Sequence, residues 1–358
     1  MKKAVILWGL VFLFLTMMKT DSYCRQRARW FKGNTHAHTN YSDGNVPPLE
    51  AIRWYYDHGY DFLVITDHNI LTLFTDFMVG REKERRMLVI PGEEISSGSP
   101  GIPPIHVNGI GLKKVIPGNI GALTEEEISS LAISLEEKGF SQEKINESLR
   151  FQRCLALLQS AVDAVWKQGG LPIINHPNFG FAFDDRMMKE VKNGKFFELY
   201  NGHPDVYNDG DATHKSTEKI WEALLDSGQL IYGVAADDAH NYSSPVGATP
   251  GKGWIWVRAK ELSTQAIIEA MEKGDFYAST GVTLHSLSLS SRYVGVKVKP
   301  EEGESYRIRF IGREGKVLKE TQGWQAYYYP KKEDGYIRIK ITDSKGRCAW
   351  SQPIFIKK

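Results

Sequence analysis

The 358-residue chain is long enough for a barrel-sized unit with a small appendage. Its 42% hydrophobic and 25% charged residues are ordinary for a globular protein, and 45 basic against 43 acidic residues argue against a general nucleic-acid-binding surface. Cys24, Cys154 and Cys348 lie far apart, which excludes a disulfide scaffold and a zinc knuckle but leaves a Cys154–Cys348 bridge open in an oxidising compartment.

Residues 1–24 have the pattern of an export signal. Lys2 and Lys3 precede an apolar run over residues 4–18, which is shorter than the ~20 residues of a membrane-spanning helix. Cys24 leaves a lipid anchor open, and an uncleaved membrane anchor is a further alternative. We therefore expect a signal peptide or N-terminal anchor at 1–24, and a periplasmic or cell-surface protein that meets a membrane only through this segment.

The first candidate site motif is His36-Ala-His38, at the end of a predicted strand. Residues two apart in a strand point to the same face, so the two imidazoles lie side by side. Ser-Asp43-Gly then predicts a turn that adds a carboxylate. After a helix-like run, a buried apolar strand delivers Asp67 and His68 to the same end. Imidazoles and carboxylates at this density suit a cluster of divalent metals.

Later predicted strands end in residues of the same kind. They deliver, in chain order, the motifs Gly-Glu93-Glu94, His106, His176-Pro and Asp237-Asp238-Ala-His240. Asp238 and His240 are again two apart and can face one site. Between these motifs, residues 73–86 predict a helix, and Asn201 and His203 follow another strand as candidates for a substrate-facing loop.

These motifs, in this order, resemble those of the PHP (polymerase and histidinol phosphatase) family of metal-dependent phosphoesterases, over about residues 30–282. The resemblance implies an α/β fold, a distorted (β/α)7 TIM-like barrel. It also implies three metal sites, of which the first two share Glu94. The first would take His36, His38, Glu94 and Asp238, the second Glu94, His106 and His176, and the third Asp43, His68 and His240.

The implied activity is hydrolysis of a small phosphate ester by a hydroxide that bridges two metals, with two or three divalent Mn, Fe or Zn ions bound. Asp67, His68 and His240 are the candidate catalytic residues. Asp67 would orient a ligand imidazole, and His68 or His240 would steady the leaving oxygen if the third site is empty. The alternatives are an ester or carbamate hydrolase similar to exported carbaryl hydrolases, and a non-catalytic surface glycan-binding protein. No nucleic-acid partner is expected.

The domain prediction follows from a change in the pattern of apolar and polar residues near residue 284. Residues 25–283 would form the metallohydrolase barrel, with a helical insertion at about 113–168 that opens on the capping box Thr124–Glu127. Residues 284–358 alternate apolar and polar positions between glycines, which predicts a small antiparallel β-domain. Its Trp324 and Tyr327 could contact a sugar, although packing is the simpler interpretation.

Overall fold

The structure is a computed structural model that describes residues 28–73, 77–80, 85–99 and 101–356. The predictions for residues 1–24, including lipidation at Cys24, lie outside these ranges. The described chain is a mixed α/β fold with six α-helices. Within it, none of these helices combines the length and the apolar character that a membrane span requires.

The helices pack around the sheets and carry the local signals that their sequences predict. They are α1 (Pro48–Asp57), α2 (Glu125–Glu137), α3 (Gln142–Lys167), α4 (Asp185–Glu190), α5 (Thr217–Asp226) and α6 (Thr264–Glu272). The predicted capping box is present at the start of α2, where Thr124 and Glu127 satisfy each other's backbone N–H groups. In α3, an apolar stripe that includes Cys154, Leu158 and Val162 is buried in the core.

The strands form three sheets. In chain order they are β1 (Arg29–Asn34), β2 (Phe62–Val64), β3 (Phe77–Val79), β4 (Met87–Ile90), β5 (Gly92–Ser99), β6 (Ile102–Ile110), β7 (Leu171–Ile174), β8 (Phe196–Asn201), β9 (Tyr232–Ala236), β10 (Trp254–Ala259), β11 (Phe276–Ser279), β12 (Leu284–Leu289), β13 (Val294–Val298), β14 (Tyr306–Ile311), β15 (Val317–Gln322), β16 (Gln325–Tyr328), β17 (Tyr336–Asp343), β18 (Cys348–Ser351) and β19 (Ile354–Phe355). An 11-stranded sheet has the order β15-β14-β17-β18-β11-β10-β1-β2-β4-β3, with β19 on β17. The others are β5-β6-β7-β8-β9 and β12-β13-β16.

The described strands do not close into a continuous barrel, so the (β/α)7 barrel stays a prediction. The chain changes sheets at Pro91: β4 pairs with β2, whereas β5 pairs with β6. Proline has no N–H to donate, so it interrupts ladder pairing at this point. Two isolated bridges, Ala37 to Ala239 and His68 to Glu94, join the two sheets instead. Both bridges lie where the candidate ligands collect.

The structure also decides two other sequence predictions, one of a helix and one of a disulfide. The predicted helix over 73–86 is wrong at β3, because Phe77–Val79 pairs antiparallel with Met87–Val89 and that contact overrides the helical pattern. The Cys154–Cys348 bridge does not form, since both cysteines are free and buried.

The C-terminal strands both extend the main sheet and add a layer to it. β18 pairs with β11, with Tyr277 opposite Ser351, so the strands after residue 284 continue the 11-stranded sheet. The sheet β12-β13-β16 packs its apolar face on this extension, where Val294 and Val296 join Phe310 in one buried cluster. Its other face is exposed. The boundary at residue 284 stays a prediction.

Candidate metal centre

The structure brings all nine predicted ligands together at one edge of the two sheets. They follow β1, β2, β7 and β9 or lie within β5 and β6, so strands distant in sequence deliver them to the same place. Four overlapping groups have ligand atoms within 4.8 Å of one another. The groups are His36-His38-Glu94, His36-His176-Asp238, His68-Glu94-His106 and His38-Asp43-His68-His240. This part of the structure could therefore hold a divalent metal.

The deepest part of the cluster combines His36, His38, Glu94 and Asp238. His36 Nε2 lies 3.1 Å from His38 Nε2, and each lies 3.2 Å from Asp238 Oδ1. The Glu94 oxygens are 3.3 Å from His36 Nε2 and 3.4 Å from His38 Nε2. Ligands ~2.1 Å from a common metal lie ~3.0–3.4 Å apart in tetrahedral or octahedral geometry. The spacing therefore fits one shared cation.

Glu94 is the hub of the cluster. Its Oε1 lies 3.0 Å from His106 Nδ1 and 3.3 Å from His176 Nε2, and its Oε2 lies 2.8 Å from His68 Nδ1. Despite these distances, Glu94 Oε2 and His106 Nδ1 are buried without a hydrogen bond of adequate geometry. Buried polar atoms are rarely left unpaired in a native fold. Two such atoms in one cluster suit ligands of a cation.

The grouping of the ligands differs in part from the one that the family resemblance implies. His68 joins Glu94 and His106, and His176 joins His36 and Asp238. The His176 Nε2 still lies 3.3 Å from Glu94 Oε1, as the implied second site requires. The third group gains His38, whose Nδ1 lies 3.4 Å from Asp43 Oδ1 while its Nε2 faces the deeper group. His38 therefore lies between two candidate sites.

The third group is the more open end of the cluster. The Asp43 carboxylate lies 3.4 Å from both His68 Nε2 and His240 Nε2, and its side chain is 52% exposed. His68 and His240 are partly exposed, whereas His36 and His38 are fully buried. A ligand from solvent therefore reaches this end first.

Without metal, the buried charges perturb one another strongly. Burial opposes protonation of His36, but the carboxylates of Asp238, Glu198 and Glu94 outweigh it and raise the His36 pKa well above its usual value. Burial also opposes protonation of His68, yet Glu94 and Asp43 raise its pKa to about 10. For His38, burial dominates and lowers the pKa to about 4. The raised pKa values of His36 and His68 favour the protonated rings beside these carboxylates.

Glu198 is a functional candidate that sequence reasoning missed. It is fully buried on β8, and its Oε1 lies 2.7 Å from His36 Nδ1. Its Oε2 accepts hydrogen bonds from the His176 backbone N–H at 2.9 Å and from Asn201 Nδ2 at 2.8 Å. A carboxylate on the far nitrogen fixes the orientation of a ligand imidazole and raises its basicity. The available signal was a lone acid inside the apolar strand Phe-Phe-Glu-Leu-Tyr.

Asp67 reaches a ligand imidazole only through Ser42, whose Oγ donates to Asp67 Oδ1 at 2.9 Å and lies 3.4 Å from His38 Nδ1, so its orienting role stays a prediction. Its carboxylate accepts hydrogen bonds from the Thr39 N–H at 2.7 Å and from the hydroxyls of Thr39, Ser42 and Thr72. These groups belong to the loop after His38 and to the chain after His68. Because four nearby donors satisfy Asp67, it holds the backbone that carries Asp43 instead of touching a ring. Its catalytic role stays a prediction.

The two predicted loop residues contact the cluster in different ways. Asn201 is buried, and its Nδ2 donates to the ligand Asp238 and to Glu198. The His203 ring lies 5.4 Å from the His240 ring and 6.0 Å from that of Phe179, which in turn lies 5.2 Å from the His176 ring. His203 and Phe179 therefore form one wall beside the imidazoles.

Asp237 belongs to the layer beneath the site. It is buried and accepts hydrogen bonds from Asn34 Nδ2 at 2.8 Å and Tyr55 Oη at 2.9 Å, as well as from the N–H groups of Lys252 and Gly253. These bonds tie β1, α1 and the chain before β10 to the strand end that carries Asp238.

Three solved structures are similar to this chain. A two-domain protein from Bacteroides vulgatus, with a predicted PHP-like metal-dependent phosphoesterase, shares 16% identity at a TM-score of 0.43, over 88% of this chain and 91% of that one. A protein from Bifidobacterium adolescentis, predicted to be a metal-dependent phosphoesterase, shares 12% sequence identity at a TM-score of 0.35, and the match covers 60% of this chain and 90% of that one. An amidohydrolase from Chromobacterium violaceum, solved with sulfate and no metal, shares 18% sequence identity at a TM-score of 0.35, and the match covers 60% of this chain and 89% of that one.

No family model matches the sequence, and no curated protein matches it. None of the three solved structures is described as a carbaryl hydrolase. Assignment to the carbaryl-hydrolase-like branch therefore stays a prediction.

Proposed function

We propose that this protein is a metal-dependent hydrolase of the PHP type that cleaves small phosphate esters. One observation carries the proposal: six imidazoles and three carboxylates converge from six strands, and their ligand atoms form four overlapping groups. A structural role for nine such side chains is costly, because buried ionisable groups need partners. The burial of His36, His38 and Glu94 against one another is compensated if they hold cations.

We propose two or three divalent ions, of Mn, Fe or Zn, held by the nine ligands. The absence of thiolates and the mixture of imidazole and carboxylate donors suit all three metals. Bound there, the ions would supply a Lewis acid and lower the pKa of a coordinated water to about 7. Three carboxylates would leave a cationic pocket that matches an anionic ester.

The remaining steps concern the protein's own side chains. Glu198 keeps the His36 ring in place, and Asn201 holds both Glu198 and Asp238. His203 Nδ1 accepts a hydrogen bond from the Asp205 N–H at 3.2 Å, so the neutral ring carries its proton on Nε2. Burial lowers the pKa of His203 and keeps it neutral. We propose that this Nε2–H binds a substrate oxygen, while His68 and His240 lie beside the leaving group.

An uncharged ester or carbamate is the second candidate substrate. In the described part of the chain, no lysine or arginine side chain forms a hydrogen bond or an ion pair with the nine ligands. Phosphate sites often add such a cation. A site that depends on metals alone could therefore also accept a neutral carbonyl ester.

The test is a metal-replacement assay with three nitrophenyl substrates. Protein lacking residues 1–24 would be stripped with a chelator, reloaded with Mn²⁺ or Zn²⁺, and assayed on nitrophenyl phosphate, bis-nitrophenyl phosphate and nitrophenyl acetate. We expect metal-dependent turnover, fastest on the phosphomonoester. Asp238→Asn should abolish it, whereas Asp185→Asn, at a buried acid that pairs with Lys189 and Lys215, should not. Absence of metal-dependent turnover of every ester would contradict the proposal.

Location, domain division and barrel closure are further proposals. The charged start and apolar run of residues 1–24 support export to the periplasm or cell surface, with any membrane attachment through that segment. The two sheets and the bridges between them support a distorted barrel over 25–283, followed by a β-region over 284–358.

A further inference from the structure

The exposed face of the sheet β12-β13-β16 carries a concentration of aromatic side chains. Of the seven aromatic residues exposed in the described chain, four lie on or beside this sheet: Tyr293, Trp324, Tyr327 and Tyr329, at 41%, 43%, 51% and 63% exposure. Packing therefore does not explain them. Only the neighbouring Tyr328 turns inward, where its ring lies 5.7 Å from Phe310.

The rings form one contiguous cluster, in which Tyr293 and Tyr327 lie nearly parallel at 20° and Tyr329 stands edge-on to them at 61° and 68°. The Tyr327 and Tyr329 ring centroids are 5.6 Å apart, and that of Tyr293 lies 6.3 Å from Tyr327 and 5.9 Å from Tyr329. Gly295 makes this possible, since a Cβ there would lie 2.4 Å from the Tyr293 hydroxyl oxygen. The glycine lets the Tyr293 ring lie across the strand, next to Tyr327 on the paired strand. We call Tyr293, Tyr327 and Tyr329 the tyrosine platform.

A groove of about 430 Å³ runs beside the platform, a volume within the range of ligand sites, about 300–1,000 Å³. Its polar lining comes from outward positions of neighbouring strands, including Ser286, Ser288, Thr321 and Gln325. These groups offer hydroxyl and amide donors and acceptors next to aromatic faces. That combination suits pyranose rings, which present an apolar C–H face and an equatorial ring of hydroxyls.

The charge of the groove narrows the ligand class. Lys297 and Lys319 line it, and no carboxylate does among the described lining residues. The Lys297 Nζ lies 4.8 Å from the Trp324 ring and the Lys319 Nζ lies 4.6 Å from that of Tyr327. Glu320 points to the opposite side, where it pairs with Arg309 at 2.6 Å. The groove is therefore cationic, although the whole chain carries a net charge of only +2.

We propose that the tyrosine platform and its groove bind an acidic polysaccharide, one that carries carboxylate or sulfate groups. Sugar rings stack on Tyr293, Tyr327 and Tyr329, and the anionic groups face Lys297 and Lys319. This site is separate from the nine-ligand cluster, so it would hold a polymer while the metal centre acts elsewhere. Single-stranded nucleic acid also uses aromatic rings and lysines, but the nearly neutral chain and the neutral hydroxyl lining favour a glycan.

The test measures binding of the protein without residues 1–24 to four polymers: polygalacturonate, chondroitin sulfate, dextran and poly(dT). Affinity electrophoresis and calorimetry would report binding. We expect binding to one or both acidic polysaccharides, weakened about 5- to 10-fold by Tyr327→Ala or Tyr329→Ala. Lys297→Gln should also weaken polysaccharide binding relative to the parent, and it should reduce the dependence of that binding on salt concentration.

Matched variants separate the platform from general surface effects. Phe140→Ala removes an aromatic ring of similar exposure, 45%, between α2 and α3, and Lys260→Gln removes an exposed charge elsewhere. Both control variants should bind the polysaccharides as tightly as the parent does. Every variant should have the same metal-dependent ester hydrolysis rate as the parent. Equal binding to dextran, tighter binding to poly(dT), or no binding to any polymer would each overturn the proposal. So would dimerisation through this face, seen by sedimentation and lost in Tyr327→Ala.

Discussion

Glu198→Gln tests whether the buried carboxylate on β8 tunes the metal centre. Glu198 and His36 are both fully buried, and their 2.7 Å contact is not screened by solvent. Glutamine keeps one acceptor oxygen but removes the charge. Its NH₂ group would replace one of the two acceptor oxygens and would face the His176 N–H and the Asn201 amide, or the His36 Nδ1–H. All of these groups are donors, so at least one hydrogen bond would be lost.

The expected loss follows from that geometry. A carboxylate that supports a ligand imidazole contributes about 10–100-fold to metal affinity or activity, which corresponds to about 1.4–2.7 kcal/mol. We therefore expect Glu198→Gln to weaken Mn²⁺ and Zn²⁺ binding by about 10-fold, and Glu198→Ala by about 100-fold. The assay is competition between stripped protein and a fluorescent chelator, with kcat/KM measured on the best ester.

The matched control is Glu222→Gln. Glu222, on α5, is also buried and accepts a hydrogen bond from Arg338 Nη2 on β17 at 2.9 Å; neither residue contacts the nine ligands in the described chain. The substitution Glu222→Gln should lower the melting temperature and leave the metal affinity unchanged. If Glu198→Gln binds both metals as tightly as the parent, Glu198 does not act through His36 and the reasoning is refuted.

Two further predictions concern the loop and the protons at the site. Asp67→Asn should lower the free energy of unfolding by about 1–3 kcal/mol, because it disturbs buried hydrogen bonds to Thr39 and Thr72; denaturant unfolding measures this. Metal binding should release protons at pH 7–8, because Glu94 and Asp43 overcome burial and raise the pKa of His68 to about 10 without metal. Apparent affinity should thus rise with pH towards that value, as calorimetry in two buffers would report.

Each of these predictions has a clear opposing result. Unchanged stability of Asp67→Asn would mean that the loop does not depend on the Asp67 charge. Metal binding without proton release would mean that His68 is neutral in the metal-free protein, because a raised folded-state pKa keeps the ring protonated until pH exceeds it.

The candidate ligands could be predicted because their signals are local. His36 and His38, like Asp238 and His240, are two apart just beyond the ends of predicted strands, and this spacing predicts that both members of a pair serve one site. The capping box at Thr124 is local in the same sense, since both of its partners lie within one helical turn. Such patterns need no knowledge of what packs nearby.

Other features depend on which strands pair, and that depends on contacts between distant segments. The acid inside the apolar strand β8 is visible in the sequence, but its partner is not: Glu198 lies 2.7 Å from His36, which is 162 residues away. The predicted helix over 73–86 gave way to β3 because β4 supplied a partner. The exposure of Tyr327 follows from Val294 and Val296 turning inward on the paired strand.

By itself, the sequence determined the kinds of ligand and the strand ends that carry them, because residue type and the apolar run of a buried strand are both local properties of the chain. Only the tertiary structure decided that Pro91 divides the strands between two sheets, that His38 lies between two candidate sites, and that Glu198 supports His36. These depend on long-range packing, whose free energy is shared among many residues and is encoded at no single position.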